Sequence, residues 1–256
     1  MKKNKLTSSF TLGLFSFICF FFFWFILSDN DSDNVYSVLP SPVIVIKSLF
    51  SELKSGELLF HLGHTLYRVL WSFIIALICG TIIGFFMGRS KSVDDFLDVW
   101  IIVFMNLPAL VLIVLCYIWI GLNDMAAIIA VALNKIPLVA VLVRQGAREL
   151  DPKYSDIAKV FQLTHWSKIR HIFIPQMFPY VISAARSGLS IIWKIVLVVE
   201  FLGRPNGIGF QIHLYFQLFD VGMVLAYAVS FIIIMLIVEI GVLRSIEKHS
   251  YVWKID

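Results

Sequence analysis

Charge is scarce in this 256-residue chain. Asp, Glu, Lys and Arg together make up 15% of it, against roughly a quarter in an ordinary soluble domain. Apolar residues reach 59%, and that balance excludes a water-soluble fold. Cys19, Cys79 and Cys116 each sit alone inside an apolar run, with no His or Cys nearby at ligand spacing. Neither a disulfide nor a metal centre is supported, and all three read as packing residues. No G-x-x-x-x-G-K-[ST] stretch occurs, so a phosphate-cradling loop is missing. No Ser/His/Asp or Cys/His set stands out for catalysis. The two halves show no clear repeat, whereas many carriers are built from one. Long continuous apolar runs in place of alternation also exclude an outer-membrane barrel.

What the chain has is long apolar runs. A bilayer-crossing helix needs about 20 predominantly apolar residues, and six stretches qualify: 10–27, 61–88, 96–120, 125–143, 177–202 and 221–243. The expected fold class is all-α: a polytopic membrane protein with six transmembrane helices, plus an interfacial helix and a cytoplasmic helix pair. The first stretch follows Lys2, Lys3 and Lys5, as a signal peptide would. Leu27-Ser28-Asp29-Asn30 offers no small-x-small cleavage site, so an uncleaved first span is expected.

Basic residues orient the spans. Lys2, Lys3, Lys5, Arg89, Lys91, Arg144, Arg148, Lys153, Lys159, Lys168, Arg170, Arg244, Lys248 and Lys254 fall on one side, and Lys47, Lys54, Arg68 and Arg204 on the other. Both termini and the 144–175 loop are therefore expected in the cytoplasm, with Asp29, Asp31 and Asp33 outside. The net charge of +4 reflects this bias and needs no nucleic-acid partner.

Local patterns add detail. Ser41 followed by Pro42 reads as a helix start. Val43, Ile46, Leu49, Phe50 and Leu53 then share one face, as in a helix lying at the outer membrane surface. Gly80, Gly84 and Gly88 recur every fourth residue, which makes a smooth ridge for close helix packing. Pro108 and Pro137 each remove a backbone donor within a span and are expected to kink it. Gly203 to Gly209 is a turn-rich outer connection, followed by a short interfacial or re-entrant segment at 210–219.

The segment 151–175 is the longest polar stretch between spans. Asp151-Pro152 starts one helix running to about residue 161, and Thr164 caps a second that Pro175 is expected to stop. Ile157, Val160 and Phe161 make an apolar patch on the first helix; Trp166, Ile169 and Ile172 make one on the second. Basic residues flank both. Two short helices with exposed apolar groups suit a docking surface better than a passive linker.

This loop resembles the coupling loop of binding-protein-dependent ABC-importer permeases, which runs Glu-Ala-Ala, a short gap, Gly, and later Ile-x-Leu-Pro. Asp156-Ile157-Ala158 stands where Glu-Ala-Ala would be, and Ile172-Phe173-Ile174-Pro175 matches the end. Gln162 departs from the family by standing where it has Gly. Other pieces are similar to the branch for aliphatic sulfonates, taurine and nitrate. They are Leu39-Pro40-Ser41-Pro42; His61, Thr65-Leu66 and Arg68 ahead of the glycine ridge; Gly188-Leu189, Trp193 and Glu200; and Gly207-Ile208-Gly209. The resemblance covers roughly 39–248.

It implies a single permease domain over 1–256, with the first span and acidic turn at 1–38, the core at 39–248 and the coupling loop at 151–175. It further implies a permease pair in the inner membrane, two ATPase subunits beneath it, and an external binding protein that delivers the solute. The chain itself would hold no cofactor; ATP and Mg would belong to the ATPase. The docking residues implied are Asp156, Ile157, Ala158, Phe161, Gln162, Leu163, Trp166 and Pro175.

Ionisable groups within or near the spans are the remaining candidates, since such groups usually face protein or a watery cavity. Arg186 and Glu200 lie toward span ends and can snorkel. Lys135 and Lys194 lie deeper. They either pair with Glu239, Glu200 or backbone carbonyls, or line an anion path together with Trp193. The function expected is a pore-forming permease for a small, anionic solute. A self-sufficient carrier or channel, an importer of a neutral or cationic nutrient, and a membrane-embedded enzyme are the alternatives.

Overall fold

The computed structural model describes residues 15–16, 18–28, 39–150, 153, 160–239 and 241. The helices are α1 (Ile18–Leu27), α2 (Pro42–Ser55), α3 (Glu57–Arg89), α4 (Lys91–Asn106), α5 (Ala109–Ile120), α6 (Asp124–Arg148), α7 (His165–Lys168), α8 (Ile174–Gly203), α9 (Ile208–Gln217) and α10 (Val221–Val238). A π-helical turn, Ile169–Phe173, joins α7 to α8. The acidic turn, most of the first expected loop helix and the end of the last span lie outside the described residues, as does most of the run ahead of α1.

Among the described residues, four helices are long and apolar enough to cross a membrane, and a bent pair supplies up to one more. Six spans were expected; the described residues supply four or five, and the described part of the first, α1, is a short apolar helix. The third expected span is not continuous: α4 and α5 meet at 98°. Pro108 explains the break, because a residue preceding proline is driven out of helical geometry. Leu107 and Pro108 indeed hold ψ values of 124° and 132°. Pro137, in contrast, lies buried inside α6 and does not interrupt it.

The core forms where α3, α6 and α8 pack. The glycine ridge of α3 is the reason α6 comes so close. A Cβ on Gly80 would lie 2.6 Å from Val139 Cβ, one on Gly84 2.9 Å from Val143 Cβ, and one on Gly88 2.5 Å from Ala147 Cβ. Backbones at that separation gain dense contact, which holds helices together in lipid. Ile192, Trp193, Val196 and Val199 of α8 fill the same core against Ala126, Ala127 and Ala130 of α6. Trp193 meets Phe231 of α10 edge-on, with ring centroids 5.6 Å apart.

Helix ends follow their local chemistry. Asn123 accepts from Ala126 N–H at 2.8 Å to start α6, and Asp220 accepts from Met223 N–H at 2.9 Å to start α10. Ser41 occupies the cap position of α2 with Pro42 after it, but its hydroxyl makes no capping bond. On α2, Val45 is buried while Val43, Ile46, Phe50 and Leu53 stay exposed. The stripe expected to meet the membrane surface is thus the one the protein leaves uncovered.

Pro175 does not stop a helix. Thr164 caps α7 as expected, its hydroxyl accepting from Ser167 N–H at 3.3 Å, but the chain then runs on helically from Trp166 to Gly203. Pro175 lacks the N–H that would bond back one turn. The preceding turn widens to π geometry, with Ile174 N–H reaching Ile169 O, and the proline becomes an early residue of α8. At 1.5 Å per residue the joined helix is roughly 57 Å long, well beyond a hydrocarbon core of about 30 Å. Part of it must stand clear of the hydrocarbon core.

Candidate docking, path and end-cap sites

On the docking segment, Val160, Phe161 and Trp166 are among the most exposed residues of the chain, Phe161 and Trp166 at 72% and 71%. Leu163 is half-buried, and Gln162 and Pro175 are exposed. Asp156, Ile157 and Ala158 lie outside the described residues. Gln162 has φ of 49°, in the left-handed region. That region costs an ordinary L-residue roughly 1–2 kcal/mol and glycine almost nothing. The backbone therefore turns here in the way a glycine would favour, with a glutamine in its place.

The four path candidates are not brought together. Lys194 is exposed on α8, nine residues before Gly203 and so about 13 Å from that helix end. Trp193 is 1% exposed and faces the core, as the 100° rotation between adjacent helix residues requires. Lys135 is 7% exposed within α6. Among the described residues no carboxylate pairs with either lysine. A cation facing lipid at mid-bilayer costs about 2.5–3.5 kcal/mol on insertion scales, so the Lys194 face calls for water or protein.

Glu200 belongs to a different construction. It is fully buried in the last turn of α8, toward Gly203, and Arg68 Nη1 donates to its Oε1 at 2.6 Å. Its Oε2 accepts from Thr65 Oγ1 and from Gly209 N–H, each at 2.9 Å. Arg68 also donates to Asp124 Oδ1 at 2.8 Å, to Asn206 O at 2.9 Å and to the Asn206 side chain. Thr65 passes the network on by accepting from Ile208 N–H at 2.9 Å, and His61 Nδ1 accepts from Gly207 N–H at 3.0 Å. Arg204 joins through Asp124 at 3.1 Å.

The connection from α8 to α9 is thereby tied to α3, α6 and α8 at once. Gly207, at φ 111°, and Gly209 are needed because the backbone folds directly over the carboxylate. A Cβ on Gly207 would lie 2.5 Å from both Glu200 oxygens. The sequence offered His61, Thr65, Arg68, Glu200 and Gly207 to Gly209 singly, as matches to a pattern; their convergence, and the parts of Asp124 and Asn206, show only in the structure.

The other end of α6 carries a second cluster. Arg144 bonds Asp94 of α4 at 3.1 Å and also Asp98, while Arg148 bonds Asp94. Polar clusters thus fix α6 at both ends, with apolar packing between. Cys19, Cys79 and Cys116 are all free.

Residues 76–245 match the family described as binding-protein-dependent transport system inner membrane component. The chain belongs to that family. The permease is 26% identical over 218 residues to the putative aliphatic sulfonates transport permease protein SsuC of Bacillus subtilis (strain 168), covering 85% of this chain and 79% of that protein. It is 24% identical over 220 residues to the taurine transport system permease protein TauC of Escherichia coli (strain K12), covering 84% and 80%. Among solved structures, an amino acid ABC transporter matches with a TM-score of 0.63 at 21% identity, covering 78% of this chain and 98% of that one. The permease is thus a transport component of the membrane, and the solved structure shares its fold.

Proposed function

We propose that this permease forms the pore of an ATP-driven importer for a small anionic solute, of the sulfonate, taurine or nitrate kind. The ATP is hydrolysed by a separate subunit, two copies of which dock on the 151–175 loops of a permease homodimer. An extracytoplasmic binding protein delivers the solute, both termini and the loop lie in the cytoplasm, and the membrane is the bacterial inner membrane. Asp156, Ile157, Ala158, Phe161, Gln162, Leu163, Trp166 and Pro175 make the docking surface.

The observation that carries this reading is the exposure of Phe161 and Trp166 at the end of a helix too long for the bilayer. Two large apolar side chains held in water signal a partner surface, and a rigid α8 would transmit its movement into the membrane. The wall available supports the dimer: the spans of one copy enclose a solute path poorly, while two copies enclose it well. The names of the relatives support an anion, as does the basic Lys194.

Replacing Phe161 by Asp tests the reading. The variant should assemble in the membrane but lose its ATPase subunit during detergent purification, and transport-coupled hydrolysis should stop. An intact complex with normal coupled hydrolysis refutes the docking assignment.

A further inference from the structure

The exposed side of α8 carries a polar column. Ser183, Ser187, Ser190 and Lys194 follow one another at spacings of four, three and four, which places them within about 60° around the axis and along roughly 16 Å of it. Ser183, Ser187 and Lys194 are exposed and Ser190 is half-exposed. The opposite side, Ile182, Ala184, Leu189, Ile192, Trp193 and Val196, is buried in the bundle. Beyond Lys194, toward Gly203, the same side turns apolar with Val198 and Phe201. The column therefore starts in the cytoplasmic half of the helix and ends on a cation near mid-membrane.

Serine alone would not require water, because a helical hydroxyl can bond the carbonyl one turn back. Lysine does require it. An ammonium has three donors and no acceptor, and no described carboxylate pairs with this one. Hydroxyls and one fixed cation, on a face free of acids, match a small anion with several acceptor oxygens. The cation supplies attraction, and hydroxyls that rotate freely pass hydrogen bonds along without holding the ion tightly.

Resting on the permease reading above, we infer that Ser183, Ser187, Ser190 and Lys194 form the water-lined anion track of the pore. Lys194 is its selecting group, and Trp193 and Glu200 take no part. The buried sides of α8 serve assembly, and this one side serves the solute.

Thiol accessibility tests the inference without knowledge of the solute. In the complete transporter, with Cys19, Cys79 and Cys116 replaced by Ala, Ser187→Cys and Ser190→Cys are treated with a sulfonate-bearing and a trimethylammonium-bearing methanethiosulfonate. Phe178→Cys, on another side of α8, is the comparison. Rates are normalised to those with free cysteine. The two track cysteines should react, the anionic reagent at least tenfold faster, and Lys194→Met should bring that ratio near one. Cysteines at 187 and 190 inert to both reagents would mean that a second copy or lipid covers the face, which overturns the track. Reaction without charge preference overturns the role of Lys194. Co-purification of the ATPase subunit is scored in the same samples, so failure of the permease reading shows separately.

Discussion

Arg68 of α3 and Glu200 of α8 meet at 2.6 Å with side chains 1% and 0% exposed. An ion pair so enclosed contributes little compared with a well-packed apolar pair, but losing one partner strands a buried charge at about 3–5 kcal/mol. Arg68→Ala and Glu200→Ala should each lower detergent stability by about that amount, and the double variant should lose less than the sum. Thermal unfolding of the four proteins of the cycle measures the coupling. Additive losses would mean that the pair is not energetically linked.

The glycines of α3 divide by environment, although all lie on one helix. Gly84 has Ala140 O and Val143 Cβ where its own Cβ would be, whereas Gly63 has nothing within 4 Å. Gly84→Ala should separate α3 from α6 and cost 1–3 kcal/mol or more through overpacking. Gly63→Ala should stabilise slightly, since alanine is worth up to about 1 kcal/mol over glycine in a helix. Melting temperatures moving in opposite directions are the expected result, and a common direction would refute the ridge as the cause.

How much of this was legible in the sequence depends on whether the cause was local. The Gly80, Gly84 and Gly88 ridge was readable because its spacing of four survives any tertiary context. The break at Pro108 was readable as a kink, but not as a right-angled one that divides the span. Pro175 misled because proline suits a helix start as well as an end, and only the π turn before it shows which applies. The Arg68–Glu200 pair, separated by 132 positions, leaves no periodic trace. The track on α8 was hidden for another reason. Its spacing of four, three and four stands in the sequence, but spacing alone does not tell whether a polar side meets protein or stays open, and Trp193 and Lys194 were grouped as neighbours although they point apart.

Gln162 gives the last prediction its sharpest contrast. Its φ of 49° is a conformation that glycine adopts freely, that glutamine tolerates, and that a β-branched residue resists. The residue lies next to Phe161, so the turn decides where that exposed ring points. Gln162→Gly should relieve about 1 kcal/mol of strain and leave ATPase binding as tight or tighter. Some of that gain is offset by the greater freedom of glycine in the unfolded loop. Gln162→Val should weaken binding at least fivefold, because relaxing its backbone swings Phe161 away from the contact. Titration of the purified ATPase subunit onto permease in nanodiscs reads both variants. If valine binds as well as glutamine, the left-handed turn does not set the docking geometry, and the exposed Phe161 and Trp166 must be positioned by α7 alone.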